Sequence, residues 1–497
     1  MAITLLMATT AGAVSVAQPA PASRPNILFI MVDEMRWDVM SCANHPMVKT
    51  PNLDSLARGG TRFAATYTCA PVCVPSRYSF FTSRYGHVHG SLGNSTPTQP
   101  GELFLPAILR HQGYQTAISG KLHFLPPERD HGFDCFWSYS HEGPGKLQNW
   151  PDFLEQKHGT QARRLLDQPY PNDPLGRDIG RLSYPKEDMQ SFWITDRAVD
   201  FLHQRDQHKP FFLFVSYLDP HSPSHLAEPY WSMFDPKKMP APKIPDAVKQ
   251  ERAAALKAGA SGPGPARSLV DSEEMVQFLT ATYFAKVTLV DDNVGRLLKE
   301  VEKLGLGSNT IIVFTADHGN MLGDRGRWFK GVMYEGSSRI PLMIKASAGS
   351  PYAASFNQGK TLQEIVENID VMPTLMEMSG APLPAQPGFQ GKSLVNLVAG
   401  KDPQWKNVAR AELGPKMIRT PQFKLIKTGA TYELYDMLQD PKEEHDLAGE
   451  PAHAKELADL KGKMDTWLQE SPAAPVMEGV ERSQAANSAP KKKRRAR

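Results

Sequence analysis

Residues 26–32 of this 497-residue chain read NILFIMV, a near-continuous apolar run that ends at Asp33. The other runs of this kind are FFLFVSYL (211–218), TIIVFTA (310–316) and, more weakly, YQTAIS (114–119). Strands that are buried on both faces have this composition, because helices cover both sides of a parallel sheet. A long stretch with helical spacing, residues 273–305, separates two of the runs and ends in glycine. This alternation predicts an α/β fold in which helices sandwich a large, mainly parallel or mixed central sheet.

The pattern changes after residue 400, where short strand-like pieces joined by turns are followed by a helix-like stretch. We therefore expect a large domain over residues 24–400 and a smaller C-terminal α+β subdomain over 401–472. Residues 138–190 and 222–268 are rich in glycine, proline and aromatic residues and poor in regular pattern. They are expected to be long insertions over one face, where specificity usually resides.

The composition excludes several classes of protein. Hydrophobic residues make up 41% and charged residues 22%, as in an ordinary globular protein. No apolar run reaches the roughly 18 residues that cross a bilayer, so we expect no transmembrane segment. The net charge is +3, of which the terminal KKKRRAR supplies +6, so the rest of the chain lacks the basic surface that nucleic-acid binding requires. The four cysteines, at 42, 69, 73 and 135, allow one disulfide bridge at most.

Both ends of the chain read as segments outside the fold. Residues 1–23 contain no charge and lead through an apolar stretch to SVA, which predicts a signal peptide cleaved near Ala17. We therefore expect a periplasmic or secreted protein, or a cytoplasmic one where the leader is not functional. Residues 473–497 are predicted to be a disordered basic tail.

Reactive side chains follow each of the four predicted strands. In chain order, the residues after the strands are Asp33 and Glu34, then Lys121 and His123, then His221, and then Asp317 and His318. Ligands of open α/β sheets bind at the carboxyl ends of strands, so these groups are expected to meet at one edge. A lone aspartate after a strand is usually a turn residue or a helix cap. Four such coincidences at the same topological position favour a functional site.

The chemistry of these groups indicates the kind of ligand. The carboxylates with one imidazole suit a hard divalent cation, and these residues are Asp33, Glu34, Asp317 and His318. Positive charge and proton donors come from Lys121, His123, His221 and Lys330, the last within RGRWFKGVMYEG. A cation surrounded by basic side chains is what a tetrahedral oxyanion requires, so we expect a sulfate or phosphate ester. In an extended backbone, Lys121 and His123 would face the same oxyanion, because alternate residues point to one side.

The stretch CAPVCVPSRYSFFTSR, residues 69–84, contains Cys73 followed by Pro75 and Arg77. Pro75 suits the first turn of a helix, whose N-terminus would then face the anion. Residues 24–448 together resemble the type I, formylglycine-dependent sulfatases of the alkaline phosphatase superfamily. The segments that carry this resemblance are the stretch around CVPSR (50–90), GYQTAISGKLHF, LDPHSP, TADHGNMLGDRGRWFKG and VMYEGSSRIPLMI.

The resemblance implies an alkaline phosphatase-like fold with the catalytic domain at 24–400. It also implies that a formylglycine-generating enzyme reads Cys73, Pro75 and Arg77 and oxidises Cys73 to formylglycine (3-oxoalanine). The hydrated aldehyde is a geminal diol, in which one hydroxyl attacks sulfur and the other later expels sulfate. The implied metal is Ca²⁺, with Mg²⁺ or Mn²⁺ as alternatives, and its implied ligands are Asp33, Glu34, residue 73, Asp317 and His318.

The remaining roles that the resemblance implies belong to basic residues. Arg77 would orient the diol, and Lys121 and Lys330 would hold the sulfate oxygens. His123 would take a proton from the second hydroxyl, and His221 with Lys330 would protonate the leaving alcohol. Two positions depart from the commonest family pattern, because Glu34 stands where many members have Asp, and His318 where many have Asn. His87 and His89 are interpreted as structural supports.

The substrate stays open at this point. A phosphonate monoester or phosphodiester hydrolase of the same superfamily is the nearest alternative, although such enzymes typically lack the pair formed by Lys121 and His123. Sulfated carbohydrates, choline sulfate and aryl sulfates are all compatible with the sequence. The aromatic residues near the first insertion could stack on a sugar or belong to the core, and they are Trp137, Tyr139, Trp150, Phe153 and Tyr170.

Overall fold

The computed structural model describes residues 24–140, 142–144, 148–160, 166–169, 179–242, 244, 246–257, 270, 272–382, 388–472 and 479–480. The predicted leader at 1–23 and most of the predicted basic tail at 473–497 lie outside the described residues, as do parts of both predicted insertions.

The strands in the described residues are β1 (Asn26–Asp33), β2 (Thr61–Tyr67), β3 (Gln115–Gly120), β4 (Cys135–Ser138), β5 (Leu166–Pro169), β6 (Ile179–Leu182), β7 (Phe211–Pro220), β8 (Ser224–Leu226), β9 (Thr310–Ala316), β10 (Arg339–Lys345), β11 (Lys360–Glu367), β12 (Ala409–Glu412), β13 (Lys416–Arg419), β14 (Phe423–Thr428) and β15 (Thr431–Asp436). The helices there are α1 (Pro51–Gly59), α2 (Cys73–Thr82), α3 (Gly86–His89), α4 (Leu105–His111), α5 (Trp150–His158), α6 (Gln190–Gln204), α7 (Asp246–Lys257), α8 (Glu273–Lys303), α9 (Glu335–Ser338), α10 (Ala353–Phe356), α11 (Val371–Ser379), α12 (Val395–Val398) and α13 (Ala454–Gln469).

Eight strands form the central sheet in the order β11-β2-β10-β9-β1-β7-β3-β4. Strand β10 runs antiparallel to both of its neighbours, and the other neighbouring strands pair in parallel. All eight residues of β1 are buried, as its continuous apolar run predicts for a central strand. The prediction of a large, mainly parallel or mixed sheet is confirmed.

Helices flank this sheet and shield its apolar faces. Helix α2 packs on β1 through aromatic contacts, since the ring of Phe29 lies 6.1 Å from Phe80 and 5.7 Å from Phe81. The 31-residue helix α8 matches the predicted helical stretch, and the side chain of Ser272 caps it by accepting the amide of Met275. No helix in the described part of the chain has the length and apolarity that spanning a membrane requires.

A second, four-stranded antiparallel sheet has the order β12-β13-β14-β15 and lies near the C-terminus. Helix α13 packs on it through Leu460, Met464 and Trp467, which are buried against Ile418 and Leu425. A smaller α+β unit in this part of the chain is therefore confirmed, whereas the exact boundaries 24–400, 401–472 and 473–497 stay predictions.

The predicted insertions contain more regular structure than their sequence indicates. Helix α5 and strands β5 and β6 lie in the first, and β8 and α7 lie in the second. Strands β5, β6 and β8 form a third sheet, in which β8 pairs with β6 from the other insertion. Strands of three or four residues are too short to give a periodic pattern in the sequence.

Candidate active site

The carboxyl ends of four neighbouring strands, β9, β1, β7 and β3, form one edge of the central sheet. Asp33 ends β1, Lys121 follows β3, and Asp317 follows β9. Strand β7 ends at Pro220, so His221 is the next residue. The prediction that these groups meet at one edge of the sheet therefore agrees with the strand order.

Helix α2 brings Cys73 to this edge. Cys73 is its first helical residue, and every residue of the helix is buried. Arg77 lies four positions later, so it stands on the same side of the helix one turn on. The positive end of the helix dipole thus lies at the carboxyl ends of the strands and favours negative charge there.

Arg77 is fully buried and uses its whole guanidinium to organise the edge. Its Nε donates to Asp317 at 2.9 Å and its NH2 group donates to Asp33 at 3.1 Å. The NH1 group donates to the backbone carbonyl of Lys121 at 2.7 Å and to the hydroxyl of Ser216 at 2.9 Å. One side chain therefore ties together groups from β1, β3, β7 and β9.

Four buried residues each offer one ligand atom to a common point, and all four atoms lie within 4.8 Å of one another: Asp33, Cys73, Asp317 and His318. The Sγ of Cys73 lies 3.2 Å from His318 Nε2 and 3.8 Å from Asp33 Oδ1. His318 Nε2 lies 3.7 Å from Asp33 Oδ1 and 3.6 Å from Asp317 Oδ1. We call these four residues the acidic cluster.

The electrostatics of the acidic cluster favour a bound cation. Burial and the facing carboxylate of Asp33 raise the pKa of Asp317. Burial also opposes ionisation of Asp33, but Lys121, His221, Lys330 and Arg77 hold the pKa of that carboxyl well below its usual range. Two carboxylates facing each other away from water repel unless a positive charge lies between them. A divalent cation bound there would supply that charge.

The tautomer of His318 is set for metal binding. Its Nδ1 lies 3.0 Å from the carbonyl of Gly319 and donates to it, so Nε2 is the nitrogen that would bind a metal after losing its own proton. Carboxylate oxygens together with one imidazole fit a hard divalent cation. The residues present therefore fit the metal that the sequence predicts, which Asp33, Asp317, His318 and residue 73 would hold.

A second charged group adjoins the acidic cluster and is centred on Glu34. The carboxylate of Glu34 accepts from Asn320 at 2.7 Å and from Lys330 at 3.1 Å. His221 Nε2 lies 3.4 Å from the same carboxylate. Glu34, Asp33 and His221 offer a further set of three close ligand atoms. The ammonium of Lys330 already compensates Glu34, and that of Lys121 lies 2.5 Å from Asp33.

Residue 73 sits in a field that stabilises an anion. Burial and Asp33 disfavour the thiolate of Cys73, yet Lys121, Lys330 and His318 outweigh them and hold its pKa well below the ordinary value. The same surroundings raise the pKa of Lys330, chiefly through Cys73 and Glu34 against the effect of burial. Both lysines therefore stay charged beside residue 73, which is the position an oxyanion would take.

Two effects oppose each other at His221. Burial and the nearby charge of Lys330 lower its pKa to about 4. Both ring nitrogens nevertheless face oxygen acceptors, since Nδ1 lies 2.5 Å from the carbonyl of Ser222 and Nε2 faces Glu34. The ring keeps 23% exposure, so burial is incomplete. A bound anion would add to the effect of these acceptors, because it raises the pKa of His221 and favours the protonated ring.

The predicted geometry of Lys121 and His123 is wrong in one respect. His123 has a φ of +58°, so the backbone is not extended there and the alternation of an extended chain does not apply to the two side chains. Its amide donates to Glu142 at 3.1 Å, and its buried Nδ1 has no hydrogen-bond partner among the described residues. The turn after β3, which the sequence does not reveal, causes this difference.

His87 and His89 support the structure, as predicted. The Nδ1 of His87 lies 2.7 Å from Glu412, which joins α3 to β12. His89 is fully buried, where its Nδ1 accepts the amide of Ser91 and its Nε2 lies 3.1 Å from the hydroxyl of Ser79. Neither histidine belongs to the acidic cluster.

Comparison with known families decides the class of protein. Residues 25–381 match the family model described as sulfatase, and residues 323–470 match the model for the C-terminal part of N-sulphoglucosamine sulphohydrolase. The chain belongs to the sulfatase family. The sulfatase lies in the alkaline phosphatase superfamily, and it is an enzyme that hydrolyses sulfate esters.

Several known proteins resemble this sulfatase over most of its length. An arylsulfatase of Clostridium perfringens is 28% identical over 84% of this chain and 89% of its own. The crystal structure of a phosphonate monoester hydrolase of Agrobacterium radiobacter has a TM-score of 0.76 and 26% identity, covering 89% of this chain and 95% of that one. A protein solved in complex with its substrate, D-glucosamine-2-N,6-O-disulfate, has a TM-score of 0.69 and 27% identity, covering 90% and 98%.

The sequence missed several residues that shape the sulfatase site. Ser216 and Asn320 fix Arg77 and Glu34, and the ring of Tyr139, after the edge strand β4, lies 6.0 Å from the Lys121 ammonium. Tyr139 directly follows a strand, which is the same signal that indicates Asp33 in the sequence. For Ser216 and Asn320 the sequence carries no comparable signal. All four cysteines are free.

Proposed function

We propose that this sulfatase cleaves sulfate monoesters of carbohydrates or small alcohols, with residue 73 converted to formylglycine and one divalent cation held by Asp33, Asp317, His318 and residue 73. The observation that supports this most strongly is the acidic cluster, in which Cys73 Sγ shares one point with two carboxylates and an imidazole. A thiol buried among carboxylates has no structural purpose that a small apolar side chain would not serve better.

Formylglycine at residue 73 and the divalent cation would together supply the nucleophile. Hydrated formylglycine presents a hydroxyl for attack on sulfur, and a bound cation lowers the pKa of that hydroxyl. We propose Ca²⁺, because carboxylates dominate the ligand set, with Mg²⁺ or Mn²⁺ as the other hard cations. Glu34 is the fifth proposed ligand, although its carboxylate is engaged by Asn320 and Lys330.

The basic residues would bind the sulfate and offset its growing charge. Arg77 orients residue 73 through its hold on both aspartates of the acidic cluster. Lys121 and Lys330 both act electrostatically on residue 73, so a sulfate group bound there would be stabilised by two ammonium groups. Fixed charges that need no reorganisation are the usual source of stabilisation in such sites.

Two histidines would move protons. His221, whose ring gains a proton when the anionic ester binds, donates it to the leaving oxygen with support from Lys330. His123 takes up a proton from residue 73 when sulfate departs, and its buried Nδ1, unpartnered in the described part of the chain, is free to do so. The substrate alcohol would lie on the side of His221.

A phosphonate monoester hydrolase is the second candidate, because a protein of that class shares the fold at a TM-score of 0.76. Lys121 and His123 favour a sulfate ester instead, since their charge and basicity suit transfer of a sulfuryl group. The complex with a glucosamine disulfate supports a sugar sulfate as the substrate class. We also propose export from the cytoplasm, and maturation by a formylglycine-generating enzyme.

The decisive experiment compares two cysteines that lie four residues apart in the sequence. Cys73→Ser should lose turnover of 4-nitrophenyl sulfate by about 10²-fold or more, because serine cannot expel sulfate as an aldehyde hydrate can. Cys69→Ser, at a buried position outside the acidic cluster, should retain it. Mass spectrometry of the wild-type peptide should detect formylglycine or its hydrate at residue 73. Equal turnover in both variants would contradict the role of residue 73 as the source of the nucleophile.

A substrate comparison separates the two candidate functions. The wild-type enzyme should have a higher kcat/KM for an aryl sulfate than for the matched aryl phosphonate monoester. A panel of sulfated sugars and choline sulfate then identifies the alcohol. A higher kcat/KM for the phosphonate would favour the second candidate, a phosphonate monoester hydrolase.

A further inference from the structure

Lys286 is a buried lysine in the middle of α8, and its side chain is 1% exposed. Its ammonium contacts three acceptors: the carbonyl of His221 at 2.6 Å, the carbonyl of Pro223, and a carboxylate oxygen of Asp219 at 3.3 Å. An ammonium group has three N–H donors, so these acceptors use all of them. Lys286 therefore fastens residues 219–223, the segment that leads out of β7.

The segment is held from its other side as well. The second carboxylate oxygen of Asp219 accepts from the hydroxyl of Ser191 on α6 at 2.7 Å. The amide of His221 donates to the carbonyl of Leu218 at 2.9 Å. With Lys286 on α8, these contacts hold the backbone of residue 221 from two helices and from β7.

The same helix also fixes the partner of His221. Tyr283 lies three positions before Lys286, on the same face of α8, and its hydroxyl donates to the carbonyl of Glu34 at 2.7 Å. Glu34 has a φ of +68°, a backbone conformation that needs such support. One helix thus sets the positions of both His221 and Glu34, whose side chains lie 3.4 Å apart.

Burying a lysine is costly, and the pair with Asp219 compensates it only in part. Well-packed apolar residues are often at least as stable as a buried ion pair, so stability alone is a poor reason for a lysine here. Burial lowers the pKa of Lys286, whereas Asp219 and the two carbonyls favour the ammonium form. The contacts of Lys286 are all with residues 219–223, on either side of and at His221, and none is with the acidic cluster.

We propose that Lys286 is a positioning residue for the reaction: it holds the loop at 219–223 so that the His221 ring lies beside the leaving oxygen of the ester. This inference rests on the proposed function, in which His221 protonates that oxygen. A displacement of about 1 Å in such a group lowers rates by up to about 10²-fold. Loss of Lys286 should therefore resemble a partial loss of His221.

The test is the dependence of rate on the leaving group. A series of aryl sulfates runs from 4-nitrophenyl, which leaves without a proton, to 4-methoxyphenyl, which needs one. Lys286→Met should lower kcat/KM for 4-methoxyphenyl sulfate by about 10-fold or more and that for 4-nitrophenyl sulfate by less than about 3-fold, because only the first requires the proton donor. Lys286→Gln, which keeps two N–H donors, should give an intermediate slope.

Lys424→Met provides the matched control. Lys424 is another fully buried lysine, paired with Glu335 and Glu443 in the C-terminal region. Its loss should reduce stability and leave the leaving-group slope unchanged. Where Lys286→Met folds poorly, Asp219→Asn is added to remove the unpaired buried carboxylate. Metal content and formylglycine content are measured for each variant, and kcat/KM is expressed per matured enzyme.

The His221→Ala variant distinguishes a failure of the proton-donor role of His221 from a failure of the positioning role of Lys286. In its background, Lys286→Met should add less than about 2-fold for either substrate, because the two residues act through one group. If His221→Ala leaves the slope unchanged, the proton-donor role in the proposed function fails. If His221→Ala steepens the slope but Lys286→Met lowers all rates equally, as a structural change would, the positioning role of Lys286 is overturned.

Discussion

Arg77 and Asp317 form a fully buried ion pair, in which the Nε of the guanidinium donates to the carboxylate at 2.9 Å. The same guanidinium bonds to Asp33, so one cation faces both carboxylates of the acidic cluster. Arg77 binds the Oδ2 atoms of both aspartates, which leaves Asp33 Oδ1 toward Cys73 and Asp317 Oδ1 toward His318. The pair therefore shapes the cluster as well as neutralising it.

Replacing Arg77 should affect folding as well as catalysis. Arg77→Met leaves the buried carboxylate of Asp317 without its ion-pair partner and Asp33 with Lys121 alone, which should cost about 3–5 kcal/mol of unfolding free energy. Urea denaturation of the metal-free protein measures this loss. Lys463→Ala, which breaks an exposed ion pair with Asp459, should change the same quantity by less than about 1 kcal/mol. A similar small change for both variants contradicts the role assigned to Arg77.

Asp317 should control metal binding. Asp317→Asn removes one of the two carboxylate charges at the common point, so bound metal measured by elemental analysis should fall together with turnover. Asp324→Asn alters a half-exposed carboxylate seven residues later and should leave both quantities unchanged. Retention of full activity after exhaustive chelation would show that no metal takes part.

Glu34 should tolerate an amide better than the other acidic positions. Glu34→Gln keeps an oxygen that accepts from Asn320 and loses the charge that faces Lys330. We expect kcat/KM for an aryl sulfate to fall by less than about 10-fold and metal content to stay near one per chain, since one of several oxygen ligands changes only in charge. Loss of the metal in this variant indicates that the Glu34 carboxylate is indispensable to the site.

The central fold could be predicted from the sequence, because strands buried on both faces leave continuous apolar runs such as residues 26–32. The set of reactive groups was predictable for a related reason, since strand ends in a parallel sheet share one edge. The turn at His123 was not, because nothing in GKLHF signals a positive φ at a histidine. Lys286 was also missed: it interrupts the buried face of α8, yet its acceptors lie about 65 residues earlier in the chain.

His89 should make stability depend on pH. Burial, reinforced by the charge of Arg84, lowers its pKa to about 3, whereas an unfolded histidine has a pKa near 6.5. As the pH falls from 6.5 toward 3, the unfolded chain takes up a proton that the folded protein cannot, so stability decreases. The contribution is complete above pH 6.5 and is lost at up to about 1.4 kcal/mol per pH unit below it.

Urea denaturation at pH 7 and pH 5 of the wild type and His89→Gln measures this effect. The difference in stability between the two proteins should shrink at pH 5, because glutamine takes up no proton. His445→Gln, at a position 79% exposed, should follow the wild type at both values. A constant difference between wild type and His89→Gln means that His89 does not titrate on unfolding.

The burial of α2 determines when the side chain of Cys73 is accessible to another enzyme. Cys73 is 2% exposed and opens a helix in which every residue is enclosed, so a second enzyme cannot reach its sulfur once the chain has folded. The proposed oxidation of Cys73 would then have to precede folding, while residues 69–84 are still an accessible peptide. Under this proposal, chains that fold before they meet the maturing enzyme would stay inactive when the two proteins are later mixed. The active fraction of a preparation would then depend on how many chains met the maturing enzyme before they folded.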